Sequence, residues 1–357
     1  TWRGFHVNEL SAEDIIESLA TFEFFTDFGE AFQYSNQMVA TGGYVAALAA
    51  GGEYGNLYDD YLTLMQERIF DPIGMTHTTF SFDAAQATDN YGIPHGRNLA
   101  LEYSPMPLEV EETLLLPVGP AGGVWSNVMD MARYLITELN EGVAPDGTRV
   151  VSTANLGKTW EPQVMITDEA SYGLGWIVSE YKGLPMLAHG GNTNGFSSDL
   201  AFLPDIGLGI SVLTNQWGCF LNQLVRYRLL ELLYQQEPEV DEMGQFQLDM
   251  MKESIAELMA KIQESADLKQ VEPYLGRYSN AALGEVTVEW RDDKLSFDAG
   301  EFQAEIRSKV DDEGKVSYLL YDSVLAGLAV KFERDEDGKH IMVIGKGVNE
   351  YTFEKVG

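Results

Sequence analysis

The stretch Tyr34-Ser35-Asn36 places two residue types that can do chemistry two positions apart. A tyrosine hydroxyl can take up or give a proton, and an asparagine amide can orient a ligand through hydrogen bonds. An ordinary phenol has a pKa near ~10, so Tyr34 can act as a base at neutral pH only if a nearby cation favours its phenolate. The alternative is a core aromatic residue with a satisfied hydroxyl. Tyr34 taken alone would favour this alternative, but together with Asn36 and the segments quoted below we interpret the stretch as part of a site.

A second stretch, His189-Gly190-Gly191-Asn192, has adjacent glycines within an apparent strand. Glycines in a strand weaken it and are typical of a close approach between the backbone and a ligand. A backbone of this kind can present N–H groups to a developing oxyanion. His189 on its own is as consistent with a structural role as with a functional one.

The helices and strands predicted around these two stretches indicate an α+β fold. Residues 38–50 are small and apolar, as in a closely packed helix. Further helices are predicted over SAEDIIESLATF with Ser11 as N-cap, over DDYLTLMQERIFDPIGM ending before Pro72, and over SNVMDMARYLITELNEG with Ser126 as N-cap. The segments YGLGWIVSEY, MLAHGG, SSDLAFLP and LGISVLTNQ are predicted to be successive antiparallel strands, and QLVRYRLLELLY is predicted to be a helix.

Composition changes divide the chain into three predicted regions: 1–234, 235–271 and 272–357. The middle region begins with the acidic QQEPEVDE and continues with a helical apolar stripe. The last region is almost entirely strand-like, with Val286 and Val288 alternating on one face and RDDK, DDEGK and DEDGK as turn signals. Short strands at this spacing predict a small antiparallel β-barrel.

The composition also excludes several classes of partner. The 357 residues carry a formal net charge of -33, which disfavours nucleic acid and anionic membranes. A single cysteine, Cys219, excludes an intramolecular disulfide, and the five histidines show no metal-ligand spacing. We therefore predict no metal and no cofactor. No apolar run reaches the ~18 residues of a membrane span, and no signal peptide is visible.

Five segments together resemble one known family, the penicillin-recognising serine hydrolases. They are GEAFQYSN, YLTLMQERIFDPIGMTHTTF, GPAGGVWSNVMDMARYL, YGLGW and HGGNTNGFSSDLAFLPDIGLGISVLTNQ, in that order. The resemblance is to the group of class C β-lactamases, related esterases and D-amino-acid peptidases, and it covers roughly residues 10–234. The tail from about 272 resembles the lipocalin-like barrel that some of these enzymes carry.

The family works with three motifs, of which this sequence matches two. Tyr34 and Asn36 match the Y-x-N motif, and His189-Gly190-Gly191 matches the K-T-G or H-x-G motif. The first motif, S-x-x-K, supplies the nucleophilic serine and its activating lysine, and none occurs among residues 1–33. The one S-x-x-K in the sequence, Ser179 to Lys182, comes after Tyr34 in a predicted strand or hairpin. We interpret that match as coincidence.

The resemblance implies acyl transfer through a covalent acyl-enzyme. Tyr34 would take the serine proton, Asn36 would orient the substrate and the lysine, and His189 would donate a hydrogen bond or a partial charge. The Asn192 N–H would be one oxyanion donor, beside Gly190 and Gly191.

The implied substrate is a small molecule or a peptide. Because histidine is only partly charged at neutral pH, an ester or a D-amino peptide ranks above a β-lactam.

Two hypotheses remain open at this point. In the first, the chain is the larger part of a serine hydrolase whose nucleophile lies in an absent N-terminal segment. Such a chain would be inactive alone and would leave an apolar face uncovered, to be paired with that segment or with another copy in a homo-oligomer. In the second, the chain is a pseudoenzyme or ligand-binding module that keeps the pocket without catalysis. The resemblance favours a periplasmic or secreted protein over a cytoplasmic one.

Overall fold

The computed structural model describes residues 10–21, 26–280, 283–300, 302–322, 325–345 and 350–356, without the side chains of residues 111, 113 and 114. Contacts within the chain separate two compact units. We call Leu10–Ile93 with Leu114–Asp241 the sheet unit, and Pro94–Thr113 with Glu242–Gly357 the barrel unit.

The sheet unit is built on six antiparallel strands in the order β3-β4-β5-β6-β7-β8. Their bounds are β3 Val164–Thr167, β4 Ala170–Tyr172, β5 Ile177–Tyr181, β6 Leu184–Asn192, β7 Ser197–Leu203 and β8 Leu208–Thr214. The predicted antiparallel strands are confirmed, but YGLGWIVSEY is not one strand, because Tyr172 ends β4 and β5 begins at Ile177. Strand β3 was not predicted. Alternating apolar residues in these segments supply the two faces that the sheet must bury.

The chain also forms helices. Those that lie wholly in the sheet unit are α1 Ala12–Ser18, α2 Asn36–Ala49, α3 Leu57–Met65, α4 Asp71–Ile73, α5 Phe82–Gln86, α7 Gly119–Gly122, α8 Val128–Leu139, α9 Thr153–Trp160 and α10 Leu221–Leu233. Two others, α6 Leu108–Leu115 and α11 Glu239–Lys261, have residues in both units, and α12 Leu268–Val271 belongs to the barrel unit.

Helix α1 begins where the sequence predicts. The Ser11 hydroxyl accepts a hydrogen bond from the Asp14 N–H at 3.1 Å, and the Asp14 carboxylate accepts one from the Ser11 N–H at 2.8 Å. This reciprocal pair is a capping box, which satisfies N–H groups that a helix start leaves without a partner.

Helix α8 begins one residue later than predicted, so Ser126 is not its N-cap. The Asn127 side chain caps the helix, accepting from the N–H groups of Met129 at 2.9 Å and Asp130 at 3.0 Å. The Ser126 hydroxyl instead lies 2.8 Å from that of Thr78. Ser and Asn are both strong N-caps, so the sequence could not distinguish two of them in succession.

The predicted helix end before Pro72 is also wrong. A π-helical turn, Gln66–Phe70, follows α3, and α4 then carries Pro72 in its first turn. Proline is tolerated there because the first turn needs no N–H from it. The helix ends at Gly74, whose φ of +77° gives a left-handed cap.

Two helices cover opposite faces of the sheet. Leu135 of α8 packs with Trp176, Leu187 and Phe202 on one face. Leu230 of α10 packs with a second group on the other face, formed by Tyr181, Met186, Leu203 and Ile210. A third cluster around Tyr44, Leu57 and Phe70 joins α2 to α3 and the turn that follows it.

The barrel unit contains a closed antiparallel barrel in the order β10-β11-β12-β13-β14-β15-β16-β9, as the sequence predicts. The strands are β9 Gly276–Asn280, β10 Gly284–Arg291, β11 Lys294–Asp298, β12 Gln303–Val310, β13 Val316–Leu320, β14 Ala329–Arg334, β15 His340–Ile344 and β16 Tyr351–Val356. Val286 and Val288 are both buried, and the RDDK turn is a two-residue hairpin with positive φ at Asp292 and Asp293.

The unit also holds a short hairpin of β1 His95–Arg97 and β2 Tyr103–Pro105. Among the described residues, no helix is long and apolar enough to cross a membrane.

Candidate active site

The Tyr34 motif lies at the start of α2. Ser35 is the N-cap of this helix, and its hydroxyl accepts from the Met38 N–H at 3.4 Å. Tyr34 therefore stands directly before the helix, and Asn36 is the first helical residue and is exposed. This local capping explains the serine between the two motif residues.

Four rings form an aromatic cluster, contributed by the segment before α2, by β4 and by β6. The Tyr34 ring lies 6.0 Å from the Tyr172 ring and 6.0 Å from the His189 ring, measured between centroids. Phe32 packs against Tyr172 at 5.1 Å. Tyr34 remains 42% exposed, so a ligand can reach it. The structure thus brings the two predicted stretches together, although the described contacts leave the Asn36 side chain outside this cluster.

Both nitrogens of the His189 ring have partners. The Nδ1 atom lies 2.8 Å from the carbonyl oxygen of Gly190, and Nε2 lies 3.0 Å from the Tyr172 hydroxyl. The ring is therefore fixed between the backbone of β6 and a side chain of β4. Such orientation by two partners is typical of a histidine with a specific role.

The two phenols are held in their protonated state. Burial raises the pKa of Tyr34 above its ordinary value. Burial, followed by the nearby Tyr34, raises the pKa of Tyr172 to about 12. A tyrosine base needs the opposite shift, so Tyr34 would require a nearby cation to work as one at neutral pH.

The end of β6 offers backbone donors along one side. The last residue pair between β5 and β6 is Ile177 with Ala188, so β6 extends beyond β5 from His189 to Asn192. The Gly190 carbonyl meets the His189 ring rather than a neighbouring strand. Because N–H and C=O groups alternate sides along a strand, the Asn192 N–H points the same way as that carbonyl. This direction suits an oxyanion donor.

The two glycines of β6 differ in how much space a side chain would have at each position. A Cβ atom on Gly191 would lie 2.4 Å from the Ser198 hydroxyl oxygen, which is too close without a shift. A Cβ atom on Gly190 would meet only the Ser198 carbonyl oxygen, at 3.7 Å. Packing thus accounts for Gly191 but not for Gly190, whose small size is consistent with ligand approach.

The side chain of Asn192 has a structural role. Its Oδ1 atom accepts from the Ser197 hydroxyl at 2.6 Å and from the Gly218 N–H at 3.2 Å. These bonds tie the end of β6 to the segment before α10. A cavity of about 200 Å³ opens beside them, lined by Gly190–Asn192, Ser197, Ser198, Gly218–Phe220, Asn222 and Gln223.

Sequence reasoning did not assign a role to Tyr172. It recognised YGLGW as a family segment and a strand, but not the position of its tyrosine. Tyr172 pairs with Ile177, and Ile177 pairs with Ala188, which precedes His189. Counting across the three strands brings Tyr172 level with Ala188, but it does not predict the contact with His189, because neighbouring residues of a strand point to opposite faces.

The downstream Ser179 and Lys182 do not form a nucleophile motif of the family's kind. Ser179 lies within β5, and its hydroxyl is 3.5 Å from the Met186 carbonyl oxygen. Lys182 lies in the following turn with a φ of +49°, and its exposed Nζ atom pairs with Glu239 at 3.4 Å. Neither residue is at the start of a helix.

Helix α2 exposes an apolar face. Met38, Val39 and Val45 are exposed by 56%, 39% and 53%, and a Cβ atom on Gly42 would meet open space. These residues follow helical spacing, so they share one side of the helix. The first hypothesis from sequence predicted an uncovered apolar face of this kind.

Comparison with known proteins identifies the family. Residues 2–233 match the Beta-lactamase family, and the chain belongs to it. Penicillin-binding protein 4 of Amycolatopsis lactamdurans is 31% identical over 193 residues, covering 52% of this chain and 49% of that protein. Unguisins hydrolase ungD' of Aspergillus campestris is 27% identical over 215 residues, covering 57% of this chain and 37% of that protein. The chain thus spans about half the length, or less, of these relatives.

A solved structure shows the same fold. The octameric penicillin-binding protein homologue from Pyrococcus abyssi aligns with a TM-score of 0.54 at 18% identity, covering 97% of this chain and 70% of that chain. The predicted fold, a β-lactamase-like α+β domain with a C-terminal barrel, is confirmed, and the barrel fits a lipocalin-like domain.

Proposed function

We propose that this chain provides most of the active site of a serine hydrolase that works through an acyl-enzyme. The observation that carries the proposal is the meeting of Tyr34 and His189 beside the open end of β6. Membership of the Beta-lactamase family and the hydrolase among its relatives support it. In this proposal Tyr34 is the proton acceptor, Asn36 orients the substrate, and the Asn192 N–H binds the oxyanion.

The nucleophilic serine and its lysine would come from a segment outside Thr1–Gly357. The exposed face of α2, with Met38 and Val45, is the surface against which we place that segment. Its lysine would supply the cation that Tyr34 needs, because burial alone raises the pKa of Tyr34. Without that segment the chain is expected to be inactive.

We further propose that the substrate is an ester or a D-amino peptide in preference to a β-lactam. The third motif carries His189, whose two nitrogens already have protein partners, where the K-T-G form of the motif has a lysine. A permanently charged lysine would attract the carboxylate of a β-lactam more strongly. The relative named penicillin-binding protein keeps the β-lactam class among the substrates to be assayed.

A serine-reactive fluorophosphonate probe tests the proposal. It is applied to the protein extended by the residues encoded upstream of Thr1, and to Thr1–Gly357 alone. We expect labelling of the extended protein only. Tyr34→Phe should slow labelling by about 10²- to 10⁴-fold, the usual contribution of a general base.

Tyr181→Phe is the matched control, because the Tyr181 hydroxyl bonds to Gln236 rather than to the site. Its labelling rate should equal that of the unmodified protein. An extended protein that contains no S-x-x-K, or that is not labelled, would overturn the proposal and favour the ligand-binding alternative.

A further inference from the structure

The hydroxyl of Tyr172 makes a polar contact with the predicted site. Its hydroxyl lies 3.0 Å from His189 Nε2. It belongs to none of the three family motifs, yet its ring packs against Tyr34 and Phe32 within the same cluster. This contact bears on which nitrogen of the imidazole carries the proton.

The backbone decides where the imidazole proton lies. The Gly190 carbonyl oxygen has only lone pairs, so Nδ1, at 2.8 Å from it, must carry the hydrogen and donate it. In a neutral imidazole the other nitrogen is then an acceptor. The Tyr172 hydroxyl can satisfy that acceptor only by donating to Nε2, at 3.0 Å.

We propose that Tyr172 is a positioning residue that holds the His189 ring in the tautomer with its proton on Nδ1 and its Nε2 atom as the acceptor. The assignment itself stands on the two contacts, and its importance for turnover rests on the proposed hydrolase function. The ring packing of Tyr172 fixes its hydroxyl in place. Because burial and the nearby Tyr34 raise the pKa of Tyr172 to about 12, the hydroxyl stays protonated and remains a donor at neutral pH.

This arrangement limits what His189 can do for a substrate. Its N–H is directed to the Gly190 carbonyl, and its lone pair is directed to Tyr172. A ligand therefore gains an N–H donor from His189 only if the bond from Nδ1 to the Gly190 carbonyl opens. With both nitrogens engaged by the protein, the ring fits a substrate with an uncharged carbonyl group better than one that must be anchored as an anion.

The experiment is nuclear magnetic resonance of the imidazole nitrogens in ¹⁵N-labelled Thr1–Gly357. His189→Gln identifies the His189 signals among the five histidines of the chain. At a pH where the ring is neutral, we expect a single tautomer with a protonated Nδ1 and an unprotonated Nε2. In Tyr172→Phe, which removes the hydroxyl and keeps the ring, the Nδ1-protonated fraction should fall and an Nε2-protonated form should appear.

Tyr181→Phe controls for the loss of a hydroxyl elsewhere in the same sheet, and it should leave the His189 signals unchanged. A protonated Nε2 in the unmodified chain would overturn the proposal, and so would an unchanged tautomer in Tyr172→Phe. If Tyr172→Phe does not fold, the spectrum of the unmodified chain still decides the tautomer. None of these readouts requires hydrolysis, so failure of the serine-reactive probe would count against the proposed function alone.

Discussion

At the scale of single residues, Glu138 of α8 is a carboxyl group buried in the sheet unit. It is 5% exposed, and its Oε2 atom accepts a hydrogen bond from the Trp160 indole N–H at 3.0 Å. Burial raises the pKa of Glu138, while hydrogen bonds from Trp160 and Tyr134 oppose that shift. The folded state therefore holds its proton to a higher pH than the unfolded chain does.

We expect this proton to make stability depend on pH. Between the ordinary glutamate pKa and the raised one, the folded state binds more protons than the unfolded state, so the free energy of unfolding falls as pH rises. Glu138→Gln removes this contribution. Its free energy of unfolding, relative to the unmodified chain, should increase with pH across that window and level off above it. Urea unfolding at a series of pH values measures the difference.

Glu161→Gln is the matched control, since Glu161 is exposed at the end of α9. Its difference from the unmodified chain should stay flat over the same window. A flat difference for Glu138→Gln as well would show that Glu138 is charged in the folded protein.

Single residues also show what the sequence could predict about the site. Tyr34 and His189 stood out because they belong to motifs with a fixed order, and the fold brings their rings to 6.0 Å. Tyr172 was missed because its role depends on strand register rather than on a local pattern. The direction of the pKa shift of Tyr34 could not be predicted either, since burial is a property of the folded chain.

At the scale of elements, the two glycines of β6 make a matched pair of tests. Gly191→Ala places a Cβ atom against the Ser198 hydroxyl, while Gly190→Ala finds ordinary space. We expect Gly191→Ala to lower the free energy of unfolding by about 1–3 kcal/mol, as overpacking does, and Gly190→Ala to change it little. Thermal and urea unfolding of the two variants measure this contrast.

Adding Ser198→Gly should restore much of the stability lost in Gly191→Ala, because it removes the clashing side chain. Gly190→Ala should instead slow labelling of the extended protein by the serine-reactive probe. If Gly190→Ala proved as destabilising as Gly191→Ala, its glycine would be explained by folding, and the inferred ligand approach would lose its support.

A buried ion pair connects β7 to α10. Arg226 Nη1 lies 3.1 Å from Asp199 Oδ1, with the two side chains 6% and 1% exposed. Burial raises the pKa of Asp199 although Arg226 opposes that shift. Desolvation thus outweighs the attraction of the partner, as it often does for buried pairs.

Removing one partner of this ion pair should lower the free energy of unfolding more than replacing both partners with apolar residues. Arg226→Met leaves the Asp199 carboxyl group buried without its partner, and we expect a loss of about 3–5 kcal/mol in the free energy of unfolding. The double variant Asp199→Leu with Arg226→Met should recover most of that loss. Urea unfolding measures the free energy of unfolding of both variants. If the single and double variants lost equal amounts, the pair itself would stabilise the fold.

Element types were easier to predict than element ends. The strands of the sheet and barrel follow from alternating apolar residues such as Val286 and Val288, which the structure buries. The predicted ends of helices were wrong where two sequence signals competed. Asn127 displaced Ser126 as a cap, and the π-helical turn before Pro72 let the helix continue to Gly74. Such choices depend on tertiary contacts that a local pattern does not contain.

At the scale of the whole molecule, the barrel unit is discontinuous in the chain. It combines Glu242–Gly357 with Pro94–Thr113, a segment that lies between two parts of the sheet unit in sequence. The sequence predicted the barrel from about residue 272 because the period changes there. No comparable signal marks 94–113, where the pattern is short and the contacts with the rest of the unit are long-range.

Leu99 makes such long-range contacts. It is 8% exposed and lies in a cluster with Leu319 and Tyr321 of the same unit. Its N–H also donates to the Tyr321 carbonyl at 3.1 Å, a bond that a side-chain change preserves. The two compact units have separate clusters, so damage to this one should remain within the barrel unit.

Leu99→Ala tests this division. We expect a loss of about 2–5 kcal/mol in the local stability of the barrel unit, the usual cost of removing a buried leucine side chain. Hydrogen exchange followed by mass spectrometry should show faster exchange in β13, and unchanged exchange in β7 of the sheet unit. Val316→Ala, at a more exposed position of β13, should change neither. Equal acceleration in β7 and β13 would show that the two units unfold together, and the discontinuous barrel unit would then not be an independent folding element.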